Sequence, residues 1–167
     1  MTDLRHPTTT CSARPIAPAA LTELRVTDDA GRPTTPFTDA EGGAPLRCCL
    51  RRSTPGERIA LVSYAPLRRW AAETGTDPGA YDEQGPVFVH ADPCPGPAGA
   101  APPFTGAHRT VRRYCAEGRI LGGRLVEDTS AEGLAEAFRE AFDDPAVALL
   151  HVRAVEYGCF LYEVGRD

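Results

Sequence analysis

The C-terminal run LLHVRAVEYGCFLYEVGRD leaves few folds open. Two alternating segments flank a Tyr-Gly, and segments this close pair as an antiparallel hairpin, because a parallel return needs a long crossover. A two-residue loop of Tyr157-Gly158 would force the tyrosine to positive φ, which an aromatic residue resists. A three-residue loop, Glu156-Tyr157-Gly158, needs positive φ only at the glycine. That register sets Val155 opposite Cys159 and His151 opposite Glu163. One face then carries Leu150, Val152, Ala154, Phe160, Tyr162 and Val164. The other carries His151, Arg153, Cys159, Leu161 and Glu163. A one-residue slip would mix the two sets.

This register has chemical consequences. His151 sits four strand positions from the level of Cys159, roughly 13 Å at ~3.3 Å per residue. A nucleophile and its base must approach to about 3 Å, so these two do not form a dyad. His151 and Glu163 instead make a cross-strand pair, in which the carboxylate favours imidazolium.

Upstream, the pattern is also strand-rich. LTELRVTD alternates and reads as a first strand. LRCCLRRS and ERIALVSYAPL, joined by TPG, read as a hairpin. The section from Trp70 to Gly85 is polar and contains Gly, and PVFVHA is a compact apolar strand. It runs into DPCPGPAGAAPPF, which its prolines keep irregular. HRTVRRYCAEG and RILGGRLVED read as two more strands. TSAEGLAEAFREAFDDP is the one clear helix, with Thr129 or Ser130 as N-cap and an apolar stripe of Leu134, Ala137, Phe138 and Ala141. Residues 1–20, rich in Thr, Pro and Ala, read as a flexible leader, and 21–167 as one domain. The expected class is α+β: a mainly antiparallel sheet of about six to eight strands with one helix in the C-terminal half packed on it.

With 167 residues the chain can bury a core without disulfides or metal. The net charge of −5 argues against a nucleic-acid partner. All 18 basic residues are Arg, which fits either anion recognition or a GC-rich coding bias. No apolar run is long enough for a membrane span, and the N-terminus has no secretory h-region. The six cysteines are expected to be reduced thiols in a cytoplasmic chain. No cofactor and no membrane partner are expected; a homodimer is compatible with the sequence.

PGERIALVSY, GPVFVHADPC, VRRYCAEGRI and DDPAVALLHVRAVEYGCFLYEVGR together resemble the uncharacterised bacterial domain-of-unknown-function family 1203. The resemblance spans about three quarters of the chain. Its pattern corresponds to Arg47, Gly85, Pro86, Phe88, Arg112, Tyr114, His151, Gly158, Cys159 and Arg166. The chain departs from that pattern at Leu46, where the family carries Cys, and at Arg153, where it carries a second His. The resemblance implies no established activity.

Three functional readings follow. The first is a binding domain, or an acid/base enzyme, for a small anionic metabolite. Arg47, Arg112 and Arg153 sit in predicted strands and would clamp the anion. His151, with His90, would move protons, and Tyr114, Cys159 and Glu163 would line the pocket. The second is a non-enzymatic interaction module whose polar sheet face is simply solvated. The third is a Cys/His metal protein built on His90, Cys94 and either Cys48 or Cys49. Adjacent residues on a strand point to opposite faces, so only one of Cys48 and Cys49 would join, and no residue is assigned as a metal ligand.

Overall fold

A computed structural model describes residues 11–167. Its elements, in order, are β1 (Cys11–Arg14), α1 (Pro18–Leu24), β2 (Phe37–Asp39), β3 (Pro45–Leu46), β4 (Arg51–Arg52), β5 (Glu57–Tyr64), α2 (Pro66–Thr74), β6 (Gly85–His90), β7 (Arg109–Tyr114), β8 (Ile120–Val126), α3 (Ala131–Phe142), β9 (Leu149–Ala154) and β10 (Phe160–Arg166). The class is α+β as expected, but the strands form two five-stranded sheets. The first has the order β1-β10-β9-β7-β8 and is antiparallel throughout; the second has the order β2-β5-β6-β3-β4. Within the second, β3 and β6 run parallel, with Leu46 opposite Phe88.

The C-terminal-half helix forms where its periodicity places it. Ser130 is the N-cap, its Oγ accepting from the Gly133 N–H at 3.0 Å. Leu134, Ala137, Phe138 and Phe142 are buried against Val111, Val126, Leu150, Val152, Tyr162 and Val164 of the first sheet. On the second sheet, Ala60, Val62, Val87 and Val89 form a separate core with Leu21 and Leu24 of α1. Alternation puts Leu61 and Phe88 on the opposite face, toward the β9–β10 hairpin.

Several local expectations are corrected. LTELRVTD is not a strand: Pro18 opens α1, and Leu21 and Leu24 lie three apart on its buried face. Of the expected leader, residues 1–10 lie outside the described residues. Residues 11–14 are edge strand β1 on β10, and α1 begins at Pro18. LRCCLRRS is not one strand either. After Leu46 the chain turns, Leu50 N–H donates back to Leu46 O at 2.9 Å, and Leu50 sits at φ 55. The expected hairpin with ERIALVSYAPL does not form, because β5 lies between β2 and β6 while β4 pairs with β3. The expected strand ERIALVSYAPL stops at Tyr64, and helix α2 starts at Pro66 and runs into the polar section expected from Trp70, where Gly75 ends it at φ 72.

The terminal hairpin keeps the expected His151–Glu163 pairing by a different route. Gly158 has the positive φ predicted for it, 71°. However, Ala154 N–H donates to Cys159 O at 2.9 Å, so the loop is one residue longer than three and Val155 does not oppose Cys159. A bulge between Phe160 and Tyr162 then restores the register. The bulge turns Phe160 onto the face of His151, 5.1 Å from its ring. Leu161 moves to the apolar core with Tyr162. The physical cause is tertiary: Phe160 packs 5.6 Å from Tyr64 of the second sheet, a partner that turn chemistry alone does not reveal.

Candidate functional site

The expected site residues divide into three groups. The first surrounds His151, which is 1% exposed. Its Nε2 lies 3.2 Å from Glu163 Oε1, and its ring packs between Tyr114 and Phe160. Burial pulls its pKa down more strongly than Glu163 pulls it up, and Arg153 and Arg112 add to the lowering. Glu163 favours the imidazolium, as expected, but burial outweighs it and the net shift is downward. Arg112 is directly across from His151 on β7. Arg112 and Arg153 do converge on one carboxylate oxygen, as a clamp should, but it is the chain's own Glu83 Oε2, at 2.9 and 2.8 Å. Glu83 lies in the loop just before β6, and nothing in its local sequence marks it.

The second group holds Arg47 and Cys159. Arg47 leaves β3 through a turn, with its N–H bonded to Phe88 O at 2.9 Å. Its side chain crosses to the first sheet, where Nε donates to Phe160 O at 2.8 Å, while Nη1 donates back to Pro45 O of β3. Only 3% of the residue is exposed, and burial lowers its pKa to about 10. Among the described residues no carboxylate pairs with it. Buried charges are ordinarily paired.

Arg47 lines a cleft of about 590 Å³ between the outer face of the second sheet and the β9–β10 hairpin. Phe37, Ile59, Leu61, Phe88 and Leu161 make most of its wall, and Cys159 faces it from the hairpin. The acids at the cleft are mostly engaged. Asp39 accepts from Ser53 Oγ at 2.5 Å and from Gly42 N–H at 3.0 Å, and Glu156 pairs with Arg109 at 3.4 Å. Glu41 stands exposed at the rim. No histidine among the described residues lines this cleft, so His151 and His90 do not join Arg47 in one pocket as the first reading expected.

The third group is at the end of β6, where His90 meets Cys48, Cys49 and Cys94. Both adjacent cysteines take part, because they sit in a turn rather than on a strand. The two thiols act as one unit. The contact with Cys48 draws the Cys49 thiol below its ordinary value, against burial, while that contact and burial push Cys48 up. These four side chains are the group among the described residues that could hold a metal ion.

The fold and the cleft define a mostly antiparallel α+β domain in which a buried arginine lines a largely apolar cleft. The chain belongs to the family described as protein of unknown function DUF1203, whose model matches residues 43–166. Arg47, His90, Cys94, His151 and Cys159 all fall within that span, whereas Phe37 of the cleft wall precedes it. No curated protein and no solved structure matches the chain. No described helix is long and apolar enough to cross a membrane.

Proposed function

We propose that this domain binds a small carboxylate with an apolar body in the cleft at Arg47. The observation that carries the reading is a nearly fully buried guanidinium that lines the cleft without an acidic partner among the described residues. Its Nε and Nη1 are bonded to carbonyls, which fixes the group and leaves Nη2 for an anion. The cleft volume suits a ligand of drug-like size or smaller. Its aromatic and aliphatic wall suits an apolar body rather than a phosphorylated sugar.

The test is calorimetric titration with carboxylates of growing apolar body, such as hexanoate, decanoate and phenylpropionate, each beside its matching alcohol. The expected result is binding that strengthens with apolar size and prefers the carboxylate over the alcohol. Loss of a charged hydrogen bond costs about 1.5–3 kcal/mol, so Arg47→Met should weaken carboxylate binding about 10- to 100-fold and leave the alcohol unchanged. Thermal unfolding of the variant checks that it is folded. No binding by any member of the series, or a carboxylate preference that survives Arg47→Met, overturns the reading.

A further inference from the structure

Two halves of a ligand set arrive at one sheet end because of a single parallel pairing. Strands β3 and β6 run side by side with Leu46 opposite Phe88, so the residues that follow each strand leave the sheet together. After β3 come Cys48 and Cys49 in the turn; β6 ends on His90 and, past a short loop, comes Cys94. The four ligand atoms lie within 4.8 Å of one another.

Three of the separations decide what the cluster fits. Cys48 Sγ is 4.0 Å from Cys49 Sγ, and His90 Nδ1 is 3.4 Å and 3.7 Å from the two sulfurs. A tetrahedral zinc with Zn–S of about 2.3 Å and Zn–N of about 2.05 Å has S···S edges of about 3.8 Å and S···N edges of about 3.6 Å. The two S···N distances bracket the ideal edge, and the S···S distance lies about 0.2 Å above its own. In addition, the His90 backbone N–H points at Cys48 Sγ at 3.2 Å, a hydrogen bond that supports a thiolate ligand.

The surroundings complete the pattern. His90 Nε2 lies 3.1 Å from Glu57 Oε1. An N–H at Nε2 donating to this carboxylate leaves Nδ1 bare and aimed at the sulfurs, which is how a metal-bound histidine is oriented by its outer partner. Glu57 is itself held by both terminal nitrogens of Arg51, at 3.0 and 2.6 Å, and by Thr54 N–H at 2.7 Å. Arg51 Nη2 is also 3.3 Å from His90 Nε2, but with the proton on Nε2 both groups are donors and both serve Glu57.

We propose that Cys48, Cys49, His90 and Cys94 bind one zinc ion in a closed, four-coordinate Cys₃His site. Three thiolates and a neutral imidazole match structural zinc rather than calcium or magnesium, which take oxygen. The thiol protons pass to solvent on binding, and no redox change is involved. The ion ties the turn after β3 to the proline-rich segment after β6, which otherwise runs without regular structure to Arg109. This site does not include Arg47, so it stands apart from the carboxylate reading.

The test uses the full chain purified under reducing conditions without chelators, with metal content measured by plasma mass spectrometry. The expected result is close to one zinc per chain. Cobalt(II) added to chelator-stripped protein should give the intense ligand-field and thiolate charge-transfer bands of a tetrahedral site. Cys49→Ser and Cys94→Ser should abolish stoichiometric binding, whereas Cys115→Ser and Cys159→Ser should not change it. Because a ligand variant can fail to fold, Glu57→Gln provides a second measurement: zinc affinity should fall about 10- to 100-fold with the ligands intact. The proposal is overturned by substoichiometric metal together with cobalt spectra lacking those bands. It is equally overturned by a Glu57→Gln affinity equal to that of the parent, or by a disulfide among these cysteines in the reduced preparation.

Discussion

Acidifying the protein from pH 7.5 to 5 should destabilise it through His151, and the structure gives both sign and ceiling. Two effects compete at this imidazole. Glu163, at 3.2 Å, favours the protonated form, and complete burial favours the neutral one. Burial wins, with Arg153 and Arg112 on its side, so the folded pKa lies below the unfolded value of about 6.5. The unfolded chain therefore takes up a proton at a higher pH than the folded one. Stability is full above about pH 6.5 and is lost as the pH falls. If the folded histidine stays neutral down to pH 5, the loss reaches about RT ln(1 + 10^1.5), or about 2 kcal/mol.

The assay is urea unfolding at both pH values, for the parent and for a His151→Leu/Glu163→Gln double variant. Carboxylates with lowered folded pKa, such as Asp28, Asp39 and Glu156, also lose stability on acidification. They do so at lower pH and in both proteins, so the subtraction removes them. The parent should lose up to about 2 kcal/mol more than the variant. An equal loss refutes the reasoning, and a parent that gains stability would mean that His151 is an imidazolium paired with Glu163.

Two further changes test the packing. The Tyr162 hydroxyl is buried without a hydrogen-bond partner among the described residues, while its ring packs near Phe104 and Phe138; Tyr162→Phe should raise stability by about 1 kcal/mol at unchanged urea m-value, and a loss would show that the hydroxyl has a partner. Gly133→Ala should destabilise by about 1–3 kcal/mol despite the better helix propensity of alanine, because the added Cβ would collide with the backbone and carboxylate of Asp128; thermal unfolding reads the sign, and a rise in Tm contradicts it.

Periodicity and turn chemistry determined a good deal by themselves. They are local properties, and the elements they located are those whose stability is local: α3 with its Ser130 cap, the β7–β8 pair, the positive φ of Gly158 and the pairing of His151 with Glu163. The family resemblance was also legible, since it rests on residues near one another in the chain.

Tertiary structure decided the rest. Whether LTELRVTD is helix or strand depends on what buries Leu21 and Leu24, and that is the second sheet. Whether Cys48 and Cys49 face apart depends on the chain turning at Arg47, whose guanidinium bonds to a carbonyl 113 residues away. The bulge at Phe160 answers to Tyr64, and the lowered pKa of His151 answers to burial against Tyr114 of β7 and Phe160 of β10. In most of these cases the deciding free energy comes from desolvation and packing between segments far apart in sequence, so no window along the chain contains it. The parallel pairing of β3 with β6 is the clearest example. It gathers four candidate metal ligands that the sequence presents as an adjacent cysteine pair and a distant His and Cys.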